Sequence, residues 1–439
     1  MKVAVAGLWH LGTVTAGCLA SLGHEVVAYD ESAEVVANLR RGQLPVAEPC
    51  LAEMICTAVS QQHLNFTAAL RDLESSDALW ICYDTPVNDD DVADVDFVRT
   101  RIQRLLAHLR DGAMVLISSQ LPVGTTASIA ARQQKMAKAK QFAFAYVPEN
   151  LRLGRAVEVF TRPDRIVAGV GGHSDRLRIA PLLGTITDRI EWMSLESAEM
   201  TKHALNAFLA TSVGFINEIA CLCEQVGADA LEVARGLKSD VRIGKGAYLH
   251  PGAAFAGGTL ARDVKFLVDL SRRENVQAGV LTGVEQSNLA HRHWAIRRLL
   301  QEVGDVAGKT IAVLGLTYKA GTNTLRRSPG LEICRSLSEQ GARVQAFDPA
   351  VRTLPESFAP TLRLADSAEG ALEGADAAII ATTWPEFAGL SLETFVEKMR
   401  NALVIDPARH LEAALGGDHR VHYVALGKGS RRSPADSMS

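Results

Sequence analysis

The chain has 439 residues, 47% of them hydrophobic and 22% charged, with a formal net charge of -4. That length exceeds one ordinary core and implies two or three domains, while the near-neutral balance gives no electrostatic reason to expect nucleic acid or an anionic membrane as partner. The seven cysteines, at 18, 50, 56, 82, 221, 223 and 334, are odd in number and sit mostly in apolar segments, so they read as thiols of a reducing cytoplasm, not as a disulfide framework.

At the amino terminus, glycine and histidine interrupt MKVAVAGLWHLG before a signal-peptide core forms, and the expected compartment is the cytoplasm. Residues 1–192 alternate short apolar runs with helix-like stretches. VAVAG, EVVAYD, ALWICY, AMVLIS, FAFAYV and RIVAGV are too short and too β-branched for helices. The alternation predicts an α/β fold: parallel strands with helical crossovers in a doubly wound, Rossmann-like sheet.

The first of these runs carries the first motif. VAVAGLWHLG and EVVAYD form a strand, a glycine turn, a helix and a second strand ending in Asp30. In a dinucleotide fold such a turn, here Gly7, Leu11 and Gly12, offers backbone N–H groups to a pyrophosphate, and the acid takes the adenosine ribose hydroxyls. An acid at that place favours NAD over NADP. Trp9 stands where the fingerprint has its middle glycine, so its Cβ and indole should crowd the diphosphate or force a shifted path. The plain alternative is a glycine turn that binds nothing.

Residues 193–303 read as a helical connector. From Leu195 to Val226 there is no proline and only one glycine, Gly214. One long helix with apolar residues on more than one face is predicted, as for a helix buried between domains or subunits. Cys221 and Cys223 look like a metal pair, but two residues apart on a helix they point to different faces, and no metal is expected. At Lys309 the first pattern restarts, with KTIAVLGLTYK, a helix over LEICRSLSEQG, then ARVQAFDP, AAIIATTW and ALVIDP. A second Rossmann-like domain over 304–428 follows, its GLTYK opening echoing GLWHLG, and the polar tail 429–439 is expected to be disordered.

Several further segments agree in order and spacing along nearly the whole chain: PVAEPCL (45–51), DTPVNDDDVADVDFV, QLPVGTT, PENLRLGRAVEVFTRPDRIVAG, AEMTKHALNAFLATSVGFINEIA, SDVRIGKGAYLHPG, GLTYKAGTNTLRRSP and TTWPEF. Together they resemble the UDP-glucose/GDP-mannose dehydrogenase family. That family oxidises a nucleotide-sugar primary alcohol to a carboxylate, using two NAD molecules and a cysteine that captures the aldehyde as a thiohemiacetal. An aldehyde must gain a nucleophile before its carbon can release a second hydride.

In FAGGTLARD (255–263) the resemblance puts that cysteine on Thr259. An alcohol is far less acidic than a thiol and needs strong base assistance to attack. Thr259 is therefore expected to hydrogen-bond substrate or water, or to cap the turn before a helix over DVKFLVDL. The resemblance implies that Lys202 and Asn206, four apart on one helix face, bind the reacting alkoxide, that Asp263 orients water, and that Glu149 works through water. It implies Arg242, Lys319 and Arg409 as cations for the nucleotide-sugar diphosphate, Arg242 reaching across a dimer interface, with Tyr248 and Gly257 lining the sugar. Thr85, Arg262 and Arg326 match positions that contact NAD.

The departures are Leu153 for a glutamate, Gln120 for a threonine, Ala254 and Ala256 for glycines and Ala261 for a proline. With Trp9 and Thr259 they gather where cofactor and reacting carbon would meet. The expectation is a homodimeric, NAD-linked oxidoreductase, dimerised through the central helix, that removes two electrons from a nucleotide-diphosphate sugar. The alternatives are full four-electron oxidation with water as nucleophile, and a non-catalytic relic that holds the nucleotide sugar.

Overall fold

Short runs of Ala, Val, Ile and Leu, four or five residues each, make strands that are covered on both faces. In the computed structural model, which describes residues 1–88, 93–136, 140–255, 259–358 and 361–429, the chain divides into two compact units, Met1–Ala204 and Leu205–Ser439. The first unit holds β1 (Lys2–Ala6), β2 (Glu25–Tyr29), β3 (Leu64–Thr67), β4 (Ala78–Ile81), β5 (Met114–Ile117), β6 (Ala143–Tyr146), β7 (Ile166–Val170) and β8 (Ile190–Ser194) in the order β3-β2-β1-β4-β5-β6-β7-β8. The second holds β9 (Thr310–Leu314), β10 (Arg343–Phe347), β11 (Leu362–Leu364), β12 (Ala377–Ile380), β13 (Leu403–Asp406) and β14 (His422–Ala425) in the order β11-β10-β9-β12-β13-β14.

All six strands of the second sheet are parallel. The first sheet departs from the all-parallel expectation at one place: β6 and β7 run antiparallel. The connection between them contains only the six-residue helix Ala156–Thr161. An antiparallel neighbour starts at the end of the sheet where its predecessor stopped, so residues 147–165, including Glu149, stay at the carboxyl end of the strands.

Four strands were not visible as apolar runs, and they are the four sheet edges, β3, β8, β11 and β14. An edge strand is covered less completely and alternates instead of reading as one hydrophobic block; β8 has no fully buried residue.

The two sheets repeat one another in detail. The amide of Gly7 donates to the Tyr29 carbonyl (3.1 Å), and that of Gly315 to Phe347 (2.8 Å). The Leu8 amide donates to Asp30 Oδ2 at 2.8 Å, and the Leu316 amide to Asp348 Oδ2 at 2.7 Å. At the opposite end Asp77 accepts from the Lys2 amide and Asp376 from the Thr310 amide, at 2.9 and 2.8 Å. The echo between GLWHLG and GLTYK is thus a structural repeat.

Leu195–Val226 is a single helix of 32 residues, with the predicted limits. By length and composition it could cross a membrane. Part of its surface is core: Ala207, Ala210, Ile216 and Ala220 lie in apolar cores of the second unit, and Glu199, Lys202, Asn206 and Asn217 are buried and hydrogen-bonded to neighbouring loops or helices.

Candidate active site

In the first unit the candidate cofactor site is the turn after β1. Gly7 has φ +91°, and a Cβ there would sit 2.8 Å from the Tyr83 amide nitrogen; a Cβ on Gly12 would sit 1.9 Å from the Gly7 carbonyl oxygen. Both glycines are therefore demanded by the packing of the turn against the helix His10–Ser21. The first-turn N–H groups of that helix lack intrahelical partners by construction, which suits a phosphate. Asp30 accepts the Leu8 amide on Oδ2 and the Ser32 amide on Oδ1 (2.9 Å). A carboxylate has about four lone-pair sites, so this half-exposed acid keeps capacity for ribose hydroxyls. Trp9 has φ -83°, a conformation open to any residue, and is 53% exposed. The backbone follows an unstrained path without the missing glycine, and Leu11 lies buried beside Gly12. Thr85 is buried and donates its hydroxyl to the Gln120 carbonyl at 2.6 Å, tying the loops after β4 and β5 together.

The central helix fastens both neighbouring loops of this unit. Glu199 accepts from the amides of Gly124 (2.5 Å) and Thr126 (2.9 Å) and from the Thr126 hydroxyl (2.7 Å). Burial pushes its carboxyl above the usual range, against those hydrogen bonds. His203 bonds the Leu121 carbonyl through Nε2 at 3.0 Å. The buried Lys202 ammonium donates to the Glu149 carbonyl (2.6 Å) and to Glu149 Oε1 (3.1 Å), while Glu149 Oε2 accepts the Leu151 amide (2.9 Å). A buried ammonium persists only when it is paired and hydrogen-bonded, and Glu149 supplies both.

In the second unit Asn206, one turn further along the same helix, donates from Nδ2 to Asp263 Oδ2 at 2.5 Å, and both residues are buried. Asp263 lies on the helix Thr259–Arg273. That helix begins four residues before the predicted DVKFLVDL, so Thr259 is its first residue, exposed and one turn from Asp263. Gly257 lies outside the described residues. The turn preceding the helix is held by residues that sequence reasoning missed. Asn217 Oδ1 accepts the Gly252 amide (2.9 Å), Asn288 exchanges two bonds with the Phe255 backbone (2.9 and 2.8 Å), and His291 Nε2 bonds the Gly252 carbonyl (2.9 Å). The available signal was asparagine within an apolar helical stretch, as in GFINEIA, since a buried amide needs partners.

The proposed cations behave differently from one another. Arg242 is 85% exposed and is gripped by Asp240, two residues away, at 3.0 and 2.7 Å. Tyr248, Lys319 and Arg326 are exposed, and Arg262 is half-buried. Arg409 is 6% exposed, with φ +55°; its guanidinium forks onto Asp229 (2.6 and 2.9 Å) and Glu412 (2.7 Å twice). Burial alone would lower its pKa, yet the two carboxylates outweigh burial and raise it. Its charge is already matched by protein groups.

Three family models match the chain, all describing the UDP-glucose/GDP-mannose dehydrogenase family: the NAD binding domain over residues 1–183, the central domain over 196–290 and the UDP binding domain over 312–413. The chain is 34% identical to a UDP-glucose 6-dehydrogenase of Pseudomonas aeruginosa, with 94% of this chain and 95% of that protein covered. It is 32% identical to a UDP-glucose 6-dehydrogenase of Rhizobium meliloti, with 98% and 100% covered. Among solved structures it is similar to a UDP-glucose dehydrogenase from Pyrobaculum islandicum, with TM-score 0.85, 28% identity and 98% of each chain covered.

Proposed function

We propose, for a chain that belongs to the UDP-glucose/GDP-mannose dehydrogenase family, that its reaction ends after the first oxidation. The chain is an NAD-dependent nucleotide-sugar dehydrogenase. When bound, NAD supplies the hydride acceptor: the carbinol R–CH(OH)–R′, with R′ hydrogen or carbon, gives the aldehyde or ketone R–CO–R′, one NADH and one proton. The turn of Gly7, Leu11 and Gly12 with Asp30 would hold the cofactor, joined by Thr85, Arg262 and Arg326.

The remaining chemistry belongs to the side chains. The Lys202 ammonium and the Asn206 amide stabilise the developing alkoxide, each already oriented by a carboxylate. A water ordered by Asp263 or Glu149 accepts the proton. Arg242, Lys319 and Arg409, with Tyr248 and Gly257, are assigned to the nucleotide sugar; the ion pairs of Arg409 make it the anchor of its own loop first.

The observation that carries the proposal is Thr259, an alcohol at the head of its helix, at the position to which the resemblance assigns the family's thiol. Without a thiolate the aldehyde gains no covalent adduct. The second reading, full oxidation through the aldehyde hydrate, draws support from relatives named 6-dehydrogenases and from the two buried-pair carboxylates that could order the attacking water.

The test incubates the protein with candidate nucleotide-diphosphate sugars and measures NADH per sugar consumed together with product mass. One NADH and an aldehyde trapped by hydroxylamine are expected from the native chain, and two NADH with an acid from Thr259→Cys. Two NADH from the native chain at an ordinary rate would end the proposal. Lys202→Met should lower kcat by about 10²–10³-fold with little change in NAD affinity.

A homodimer through the central helix completes the reading. Phe208, Phe215 and Leu222 are exposed at seven-residue spacing, with Val226 one turn beyond, a stripe that a partner would cover. Phe208→Asp with Phe215→Asp should give a monomer in sedimentation velocity; an unchanged mass would reject the helix as the interface.

A further inference from the structure

The PVAEPCL segment has no part in the chemistry above, yet its acid is among the most enclosed in the first unit. The Glu48 side chain is fully buried. Its Oε1 accepts from the Gly154 amide at 2.9 Å and lies 2.8 Å from His10 Nε2, and its Oε2 accepts from the Ala156 amide at 3.0 Å. These bonds bring together three stretches distant in sequence: the cofactor turn, through His10; the segment 147–165 that carries Glu149; and the 45–51 segment itself.

An ionised carboxylate is acceptor-only. The imidazole must then present N–H on Nε2, which fixes the ring's direction. His10 is also the first residue of the helix whose N-terminus faces the cofactor phosphates in the reading above. The bond to Glu48 ties this residue, and with it the start of the helix, to the 45–51 segment.

We infer that Glu48, acting through His10, is a positioning residue that locks the dinucleotide turn to the loop bearing Glu149, so that NAD meets a preformed turn in place of one ordered on binding. The carboxylate is required and not merely a polar group. With three donors on two oxygens, an amide in its place would set its own N–H against at least one of them. A preformed turn spares the ordering free energy that a loose one would spend at binding.

The inference rests on NAD occupying this turn, and Trp9, exposed beside His10, reports on that directly. The experiment titrates NADH into the full chain and reads tryptophan fluorescence. The variants are His10→Leu, His10→Gln, Glu48→Gln, the double variant His10→Leu/Glu48→Gln, and Trp9→Phe. Thermal unfolding and UDP-sugar affinity are followed in parallel.

Expected are an NADH Kd about tenfold weaker for His10→Leu and for Glu48→Gln, corresponding to ~1.4 kcal/mol. Most of it should be regained in His10→Gln, whose amide can still donate, and the double variant should be no weaker than the weaker single one, because both remove the same link. UDP-sugar affinity should stay unchanged. Native NADH affinity in both single variants, or fully additive losses in the double, would overturn the inference. If NADH binds the native chain but Trp9→Phe loses none of the signal, the placement of NAD on the turn fails instead.

Discussion

The two sheets share an order, a glycine turn and an acid at the end of the second strand, and they use that acid in opposite ways. Asp30 accepts two backbone amides and remains partly exposed. Asp348 has no exposed surface. Its Oδ2 accepts the amides of Leu316 (2.7 Å) and Thr317 (2.8 Å), the Thr317 hydroxyl (2.9 Å) and the Trp384 indole N–H (2.9 Å), and its Oδ1 accepts the Ala350 amide (2.9 Å). The second acid is held by donors of its own unit and sealed, with no exposed surface to meet a ribose. The glycines tell the same story: Gly7 and Gly12 are five residues apart, Gly315 and Gly330 fifteen. In the second unit the loop carrying Lys319 and Arg326 occupies the place of the tight phosphate turn. A repeated fold therefore preserves its scaffold bonds, while a few side chains decide whether the crevice stays open.

The comparison breaks most visibly at the acids themselves. Asp348→Asn should destabilise the protein by about 3 kcal/mol or more, because an amide N–H would face donors inside a sealed site. Asp30→Asn should cost about 1 kcal/mol of stability and weaken NADH binding about 10–100-fold. Chemical denaturation and NADH titration of both variants separate the two, and equal effects on both readouts would erase the distinction.

Trp384→Phe removes one donor from Asp348 and should cost about 1.5 kcal/mol while leaving NADH affinity unchanged. The smallest effect is in pH. In the second unit the Arg409 hydrogen bonds hold the carboxyls of Asp229 and Glu412 below their usual range. Each binds its proton less readily folded than unfolded, so this stabilisation is complete above the ordinary carboxylate range, about pH 4, and is lost as pH falls through and below it. Arg409→Met should flatten that acid limb in a series of denaturation curves. An unchanged slope would show that the network is not coupled to folding.

Much of this was legible in the chain. Wherever a strand is covered on both faces, its composition announces it, as in VAVAG and AAIIATTW, and the long helix declared its own limits by lacking proline. The edge strands were silent because half-covered segments need no apolar run. In the site, the resemblance named Lys202, Asn206, Glu149 and Asp263, but not which acid holds which group. Glu149 and Asp263 lie 53 and 57 residues from the groups they hold, and hydrogen bonds between distant segments leave no periodicity. Asn217, Asn288 and His291 were overlooked for the same reason, since each looks like an ordinary polar residue until a loop is laid against it.

By itself the chain settled its local chemistry: which apolar runs are the inner strands, where glycines stand, and that residue 259 carries a hydroxyl and not a thiol. These follow from side-chain volume, branching and acidity, which are properties of single residues and short windows. Only the folded molecule decided that Asp30 stays open while Asp348 is sealed, that Arg409 spends its charge on Asp229 and Glu412, and that Glu48 joins three distant stretches. Whether a buried polar group is satisfied or available depends on which neighbours arrive from elsewhere in the chain, and that is a property of the packing alone.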